Sequence, residues 1–513
     1  MALATFISRI AGLARDVVVA RIFGAGFVSD AFFMAFTIPN LLRRFFGEGA
    51  LTAAFVPVYT EISATKNEVE AQQLACRSVT LLCLVMLVVV IAGMLLAPWI
   101  VRGVGFGFSE ISGKLELTTR LTRIMFPYVG LVSVLALLTG ILNVRGHFFL
   151  PSLSPLLLNA GMILGALLLG SFFSQPIYGL ATGVLIGGIA QLLLQYPVLL
   201  RYRIRLRPDF SFGGDTALRR IARLMLPGIA GVAIYQINVI VTRLLASFLP
   251  QGSVSYLYYG QRLFEFPQGI FIVSLAQAVL PMMSRHAAAG DDEAFRDSLR
   301  FALSLMVVIT LPAILGLMIC ARPVYSLFFM GGEFDLNALD ATAMTLICYA
   351  PGLLFVGLSR VAAQTFYALK DTRTPVLVSF WTLIVNAGLG LLLMGPLQYL
   401  GLALALSLAS AFNALVLIIL LRRRIGPFMR HSLLRPLRGA VPAAIGMALV
   451  ATPIVNLYDW SLPGAVWQKS LALFAAVVGG AVVFLLLCVL FRVDEVARAW
   501  QLLRQRRGGT GRA

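Results

Sequence analysis

The sequence predicts an all-α polytopic membrane protein of about fourteen transmembrane helices, arranged as two six-helix lobes followed by two further helices. Three observations carry that expectation. The 513 residues are 59% hydrophobic and only 12% charged, whereas a soluble chain of ordinary composition carries about a quarter charged residues to wet its surface. Arginine and lysine crowd alternate connections between apolar runs and are scarce in the others. Short motifs recur in order at an offset of about 225 residues.

The composition excludes disorder, and it sets the meaning of the net charge. A charge of +19 in a soluble chain would suggest nucleic acid. In a membrane chain it reflects basic residues retained on the cytoplasmic side, so no nucleic-acid partner is expected. The five cysteines (Cys76, Cys83, Cys320, Cys348, Cys488) sit mostly in apolar runs without CxxC spacing and read as small core hydrophobes. His147, His286 and His431 fall in separate expected loops, so no metal site and no cofactor are expected. Gly103–Gly107 follows no βαβ strand and is not a nucleotide loop. The first apolar stretch is interrupted by Arg9, Arg15 and Asp16 and has no small-residue cleavage site, so no cleavable signal peptide is expected.

A helix crossing about 30 Å of hydrocarbon needs about twenty mostly apolar residues. Eleven windows qualify: 78–100, 124–142, 153–173, 177–200, 224–249, 302–321, 343–369, 376–397, 400–421, 440–457 and 471–491. Three more are long enough but charged, at 3–24, 30–58 and 254–284. Arginines crowd the sixth connection from Arg201 to Arg223, the twelfth from Arg422 to Arg438, and the tail from Arg504 to Arg512. Residues 24–29, 171–176 and 249–252 carry no Lys or Arg. This alternation places both termini in the cytoplasm.

The repeat links Tyr178-Gly179-Leu180-Ala181 to Tyr399-Leu400-Gly401-Leu402-Ala403, and Asn159-Ala160-Gly161 to Asn386-Ala387-Gly388. It also links Arg21-Ile22-Phe23 to Arg243-Leu244-Leu245, and Phe36–Asn40 to Phe264–Gln268. It predicts lobes at 1–205 and 206–425, with residues 426–513 forming helices 13 and 14 and a basic cytoplasmic tail. Six helices per lobe gives parallel repeats, the arrangement of rocking transporters.

Charge within the spans is the functional signal. An arginine at mid-membrane costs about 2.5–3.5 kcal/mol on insertion scales, so it faces a wet cavity or an ion-pair partner. The charged spans hold Arg9, Arg15, Asp16 and Arg21 in the first, Asp30, Asn40, Arg43, Arg44 and Glu48 in the second, and Ser255, Arg262 and Glu265 in the eighth. Each has a structural alternative. Arg9 could snorkel to the interface. Asp16 could pair with Arg15 or Arg21, and Asp30 could cap the second span. One of the adjacent Arg43 and Arg44 could pair with Glu48, and Arg262 has the i, i+3 spacing to pair with Glu265. Arg243 and Arg360 are isolated and could also snorkel. Guanidinium forks grip phosphate oxygens in a bidentate way and stay charged when desolvated, so converging arginines suit a diphosphate. A cavity for cationic cargo would instead need carboxylates in excess, whereas the chain has 22 Asp and Glu in total and several of them, Asp291, Asp292 and Glu293, fall in loops.

Arg15-Asp16-Val17-Val18-Val19-Ala20-Arg21-Ile22-Phe23-Gly24-Ala25-Gly26, Ser29-Asp30-Ala31-Phe32-Phe33, Ile38-Pro39-Asn40-Leu41-Leu42-Arg43-Arg44 and Glu48-Gly49-Ala50 resemble the signature of the MurJ (MviN) family of lipid II flippases. Gly252–Ser255, Tyr258-Tyr259 and Arg262–Pro267 continue the resemblance, which covers essentially the whole chain. The resemblance implies the fold of the multidrug/oligosaccharidyl-lipid/polysaccharide exporter superfamily, in the bacterial inner membrane. It also implies a cationic cavity between lobes and a groove for the polyprenyl tail at helices 13 and 14. By the same resemblance Arg9, Arg15, Arg43 and Arg262 bind substrate, with Asp16, Asp30, Asn40, Glu48, Ser255 and Glu265 supporting them. The implied substrate is lipid II, undecaprenyl-diphosphate disaccharide-pentapeptide, moved among membrane lipids by a monomer, with cell-wall synthesis proteins as candidate partners. The chain starts closer to Arg9 than the family pattern, which points to a shortened N-terminus or a misassigned start. Thr37 stands where some members carry lysine, and the acids of the sodium site found in parts of the family are absent from helices seven, eleven and twelve. The rivals are an exporter of another lipid-linked glycan or of drugs, and a membrane-embedded glycan polymerase. The latter would need a constellation that Glu110, Glu116, Glu333, Asp335 and Asp459 do not form.

Overall fold

The computed structural model describes residues 2–46, 50–428, 434–462, 464–493 and 495. The described residues are overwhelmingly helical and include no strand. The chain divides into two compact units: residues up to Ser255 together with Gly332–Phe334, and Tyr256–Gly331 together with the chain from Asp335 onward.

The first unit holds α1 (Ala2–Phe23), α2 (Phe27–Phe46), α3 (Ala50–Thr65), α4 (Glu68–Val104), α5 (Lys114–Met125), α6 (Tyr128–Val144), α7 (Phe149–Leu164), α8 (Ile177–Arg201) and α9 (Thr216–Ser247). Side-chain caps fix two of its starts. Asn67 accepts from the Glu70 N–H at the head of α4, and Asp215 from the Ala217 and Leu218 N–H groups at the head of α9, satisfying donors the first helical turn leaves open. Glycines bring α7 and α8 into backbone contact: a Cβ on Gly187 would lie 2.8 Å from the Leu158 Cα, the close approach typical of small residues at membrane helix interfaces. Between α1 and α2, Gly24 takes a φ of +65° and its α-hydrogen side abuts the Glu333 carbonyl. Gly332, at φ +59°, abuts the Arg21 carbonyl in turn. Any side chain at either position would collide with backbone, and the Glu333 N–H donates to that Arg21 carbonyl at 2.9 Å. The division by contact places α9 with the first unit, whereas the repeat groups it with the helices that follow.

Chain continuity carries α10 (Ser253–Pro267) into the second unit, which continues with α11 (Val273–Ala289), α12 (Asp292–Val324), α13 (Leu336–Tyr349), α14 (Gly352–Ala368), α15 (Arg373–Ile425), α16 (Leu434–Val455) and α17 (Val466–Leu490). A π-helical segment, Gln268–Ile272, joins α10 to α11, and another, Tyr325–Phe329, ends α12. As one straight rod, the 53 residues of α15 would run about 80 Å, far beyond a bilayer. The helix breaks at Gln398, whose φ of 50° and ψ of −131° leave the helical region. Beyond the break Asn413 returns to donate to the Thr382 hydroxyl at 2.7 Å, so α15 is a hairpin of two helices matching the two expected windows. Helices α16 and α17 pack on each other and on α12 through Val308, Ala440, Ala444, Met447, Phe484 and Cys488.

Ten helical stretches among the described residues are long and apolar enough to cross a bilayer. The three charged windows also form helices: α1; α2 with α3; and α10 with α11, this last being among the ten. Outward faces carry Leu87, Leu95 and Trp99 on α4 and Leu486, Val489 and Leu490 on α17, all well exposed. Such faces are stable only where lipid is the solvent. The chain is an all-α, multi-pass membrane protein.

Candidate functional site

The charged residues of α1 and α2 are held in two different ways. Arg15 is 5% exposed and Asp16 3%. The Arg15 guanidinium donates through Nη2 and Nε to Asp16 Oδ1 at 2.6 and 3.0 Å, and through Nη1 to Asn159 Oδ1 at 3.1 Å. The expected local pairing of Asp16 with Arg15 is therefore present. It is completed from α7 by Asn159, whose amide nitrogen in turn reaches the Ser8 carbonyl at 3.4 Å. Arg9 and Arg21, on the same helix, are exposed.

Asp30 lies in the first turn of α2 rather than at its cap, and what it caps is a different helix. Its Oδ1 accepts from the Ser255 N–H at 2.9 Å and the Ser255 hydroxyl at 2.7 Å. Its Oδ2 accepts from the Gly252 N–H at 2.8 Å and from Lys114 Nζ at 2.9 Å. The carboxylate thus closes the N-terminus of α10, where helix dipole and open N–H groups favour an anion. Asp30 and Lys114 are each 1% exposed, and the ammonium lies 4.3 Å from the centre of the Phe108 ring, a cation–π contact that compensates part of its desolvation. Arg243 is buried and donates to the Val254 carbonyl, in the first turn of the same helix, at 3.0 Å.

At the far end of α2 the side chains are half-buried. Arg43 Nε donates to Asn40 Oδ1 at 3.1 Å, and the Arg44 guanidinium lies 5.5 Å from the centre of the Tyr235 ring of α9. Glu48 lies outside the described residues. In the second unit, Arg262 donates through Nη2 to the Tyr258 hydroxyl at 2.9 Å and through Nη1 to Glu265 Oε2 at 3.3 Å, with its guanidinium 5.0 Å from the Tyr258 ring centre. Both partners of the Arg262–Glu265 pair keep 34% of their side chains exposed. Arg360 is exposed on α14.

Lys114, Asn159 and Tyr235 were not legible as partners. Lys114 stands alone in an apparent outer loop, 84 residues from Asp30, and no local spacing marks it. Tyr258 carried a usable signal, since it stands four residues before Arg262 on one helical face.

Arginines, a lysine and aspartates held inside the spans of a helical membrane bundle fit a polytopic transporter, in which intramembrane charge marks a pathway. In fold it is similar to the solved "Inward-facing conformation of a multidrug resistance MATE family transporter of the MOP superfamily", with a TM-score of 0.70 over 82% of this chain and 95% of that one at 16% identity. The chain belongs to the MurJ family: the family model "Lipid II flippase MurJ" matches residues 19–466. It is 37% identical to a probable lipid II flippase MurJ of Vibrio cholerae over 420 residues, 80% of each chain. It is 32% identical to the lipid II flippase MurJ of Burkholderia cenocepacia over 484 residues, 92% of each. The solved structure "Lipid II flippase MurJ, inward closed conformation" is similar with a TM-score of 0.77 and 27% identity, covering 96% of this chain and 99% of that one.

Proposed function

We propose that the chain flips lipid II from the cytoplasmic to the periplasmic leaflet of the bacterial inner membrane, without covalent chemistry. In this reading the chain crosses the membrane fourteen times with both termini cytoplasmic, and the lobes at 1–205 and 206–425 alternate access. Membership of the family supports the substrate class, and the repeat supports the alternation. The observation that carries the reading further is one of charge. Helices α1 and α2 hold five arginines against two aspartates, and both aspartates are already committed, Asp16 to Arg15 and Asp30 to Lys114 and the head of α10. The two helices thus carry more arginine than acid among their described residues, an excess that suits an anionic cargo.

Arg9, Arg43 and Arg262 are the residues we assign to the diphosphate, joined by Arg15 once it exchanges Asp16 for a diphosphate oxygen. Asn40 and Glu265 orient Arg43 and Arg262, Asp30 and Ser255 hold the head of α10, and Glu48 completes the supporting set. The test is depletion of the protein with rescue by variants, measuring how much lipid II stands in the cytoplasmic leaflet. Rescue by the wild-type chain and accumulation with the arginine variants support the reading. If depletion left lipid II translocation unchanged while another lipid-linked glycan accumulated inside, the substrate assignment would be wrong.

A further inference from the structure

The connection between α8 and α9 is not helical. It has no regular secondary structure from 204 to 212, and over 203–207 its side chains alternate between exposed and buried. Ile204 is buried and Leu206 partly so, both packed on the cluster built from Tyr59, Leu74, Leu142 and Leu199, while Arg203, Arg205 and Arg207 are exposed. A period of two is what an extended strap lying on a core produces. The strap is pinned along its length. Gln72 donates to the Arg205 carbonyl, the Arg207 N–H reaches Cys76 Sγ at 3.5 Å, and the Asp209 N–H donates to the Thr80 hydroxyl at 3.0 Å.

The disposition of its acids matters most. Between 201 and 223 the acids are Asp209 and Asp215, and both turn to Arg77 of α4, at 3.1 Å each. That arrangement draws the segment's negative charge toward Arg77 and leaves Arg203, Arg205 and Arg207 without an acidic partner among the described residues. Two exposed aromatic residues flank them, Tyr202 and Phe210, the latter 65% exposed. A rigid row of arginines bracketed by aromatics at the end of a membrane helix matches a lipid headgroup layer: cations meet anionic headgroups, and aromatic rings sit at the interface.

We infer that this strap is a docking surface for anionic phospholipid headgroups of the leaflet at its side of the membrane, separate from the residues assigned to substrate and independent of what the chain transports. The acids held on Arg77 are the positioning device.

A photo-crosslinking amino acid at Phe210, in the full chain reconstituted into vesicles of phosphatidylcholine and phosphatidylglycerol at a ratio of about seven to three, reads the surface directly. The captured lipid should be mostly phosphatidylglycerol, its ratio to phosphatidylcholine about fivefold above that of the bilayer, the equivalent of about 1 kcal/mol for one arginine near an anionic surface. The enrichment should fall in high salt, which screens exposed charge. It should disappear in the triple variant Arg203→Gln, Arg205→Gln, Arg207→Gln, whose folding is checked by its thermal transition. Capture of the two lipids in proportion to their abundance by the otherwise unaltered chain, or capture of neither, would overturn the proposal, as would undiminished enrichment in the triple variant.

Discussion

Lys114–Asp30 in the first unit and Arg262–Glu265 in the second are both ion pairs of membrane helices, and they differ in kind. Lys114 and Asp30 are sealed from solvent, and both oxygens of Asp30 are fully engaged by a cation, two backbone N–H groups and a hydroxyl. Arg262 and Glu265 keep a third of their side chains open and are joined at 3.3 Å on one helix. Removing one member of a sealed pair leaves a bare charge in a dry site, whereas removing one member of a half-open pair leaves a charge that water can reach. In the proposed reading, a sealed charge such as Lys114 or Asp30 holds the fold and a half-open one such as Arg262 meets the cargo.

The largest effect is expected at the sealed pair. Lys114→Met strands the Asp30 carboxylate and should cost about 3–5 kcal/mol of stability, read as a lower thermal transition and a lower level in the membrane. Adding Asp30→Asn should recover part of that loss, and a double variant no better than Lys114→Met would show that the pair is not coupled. Arg15→Ala comes next. It strips three hydrogen bonds from a buried aspartate and an asparagine and should cost about 2–3 kcal/mol, with Arg15→Ala plus Asp16→Ala less destabilised than Arg15→Ala alone. At Arg43, where the side chain is half-buried beside Asn40, charge should count for more than shape. Arg43→Lys should keep several-fold more complementing activity than Arg43→Gln, and equal activity of the two would make Arg43 structural. The smallest effect on stability belongs to Arg262→Gln, which should shift unfolding by no more than about 1 kcal/mol.

The fold was largely legible because lipid imposes long apolar runs, and among the described residues the expected windows fall largely on helix, although 30–58 is divided between α2 and α3. Even the hairpin within Arg373–Ile425 appeared as two windows, 376–397 and 400–421, separated by the residues around Gln398 where the chain turns. The site was legible only where its contacts are local. Arg15 with Asp16 and Arg262 with Glu265 follow from adjacency and from i, i+3 spacing. Asp30 was legible as an acid near a helix start, but its real task is at Gly252 and Ser255, 222 and 225 residues away. Lys114 and Asn159 likewise meet their partners only through packing between helices distant in sequence, which no periodicity encodes.

Flipping by Arg262→Gln tests the central distinction most directly, with the variant brought to the wild-type level in the membrane. Lipid II accessible in each leaflet is measured after depletion of the native copy. Normal abundance, a thermal transition close to wild type, and lipid II retained in the cytoplasmic leaflet are expected. Wild-type translocation by that variant, or its disappearance from the membrane, would contradict the assignment of Arg262 to cargo and of the sealed Lys114–Asp30 pair to the fold.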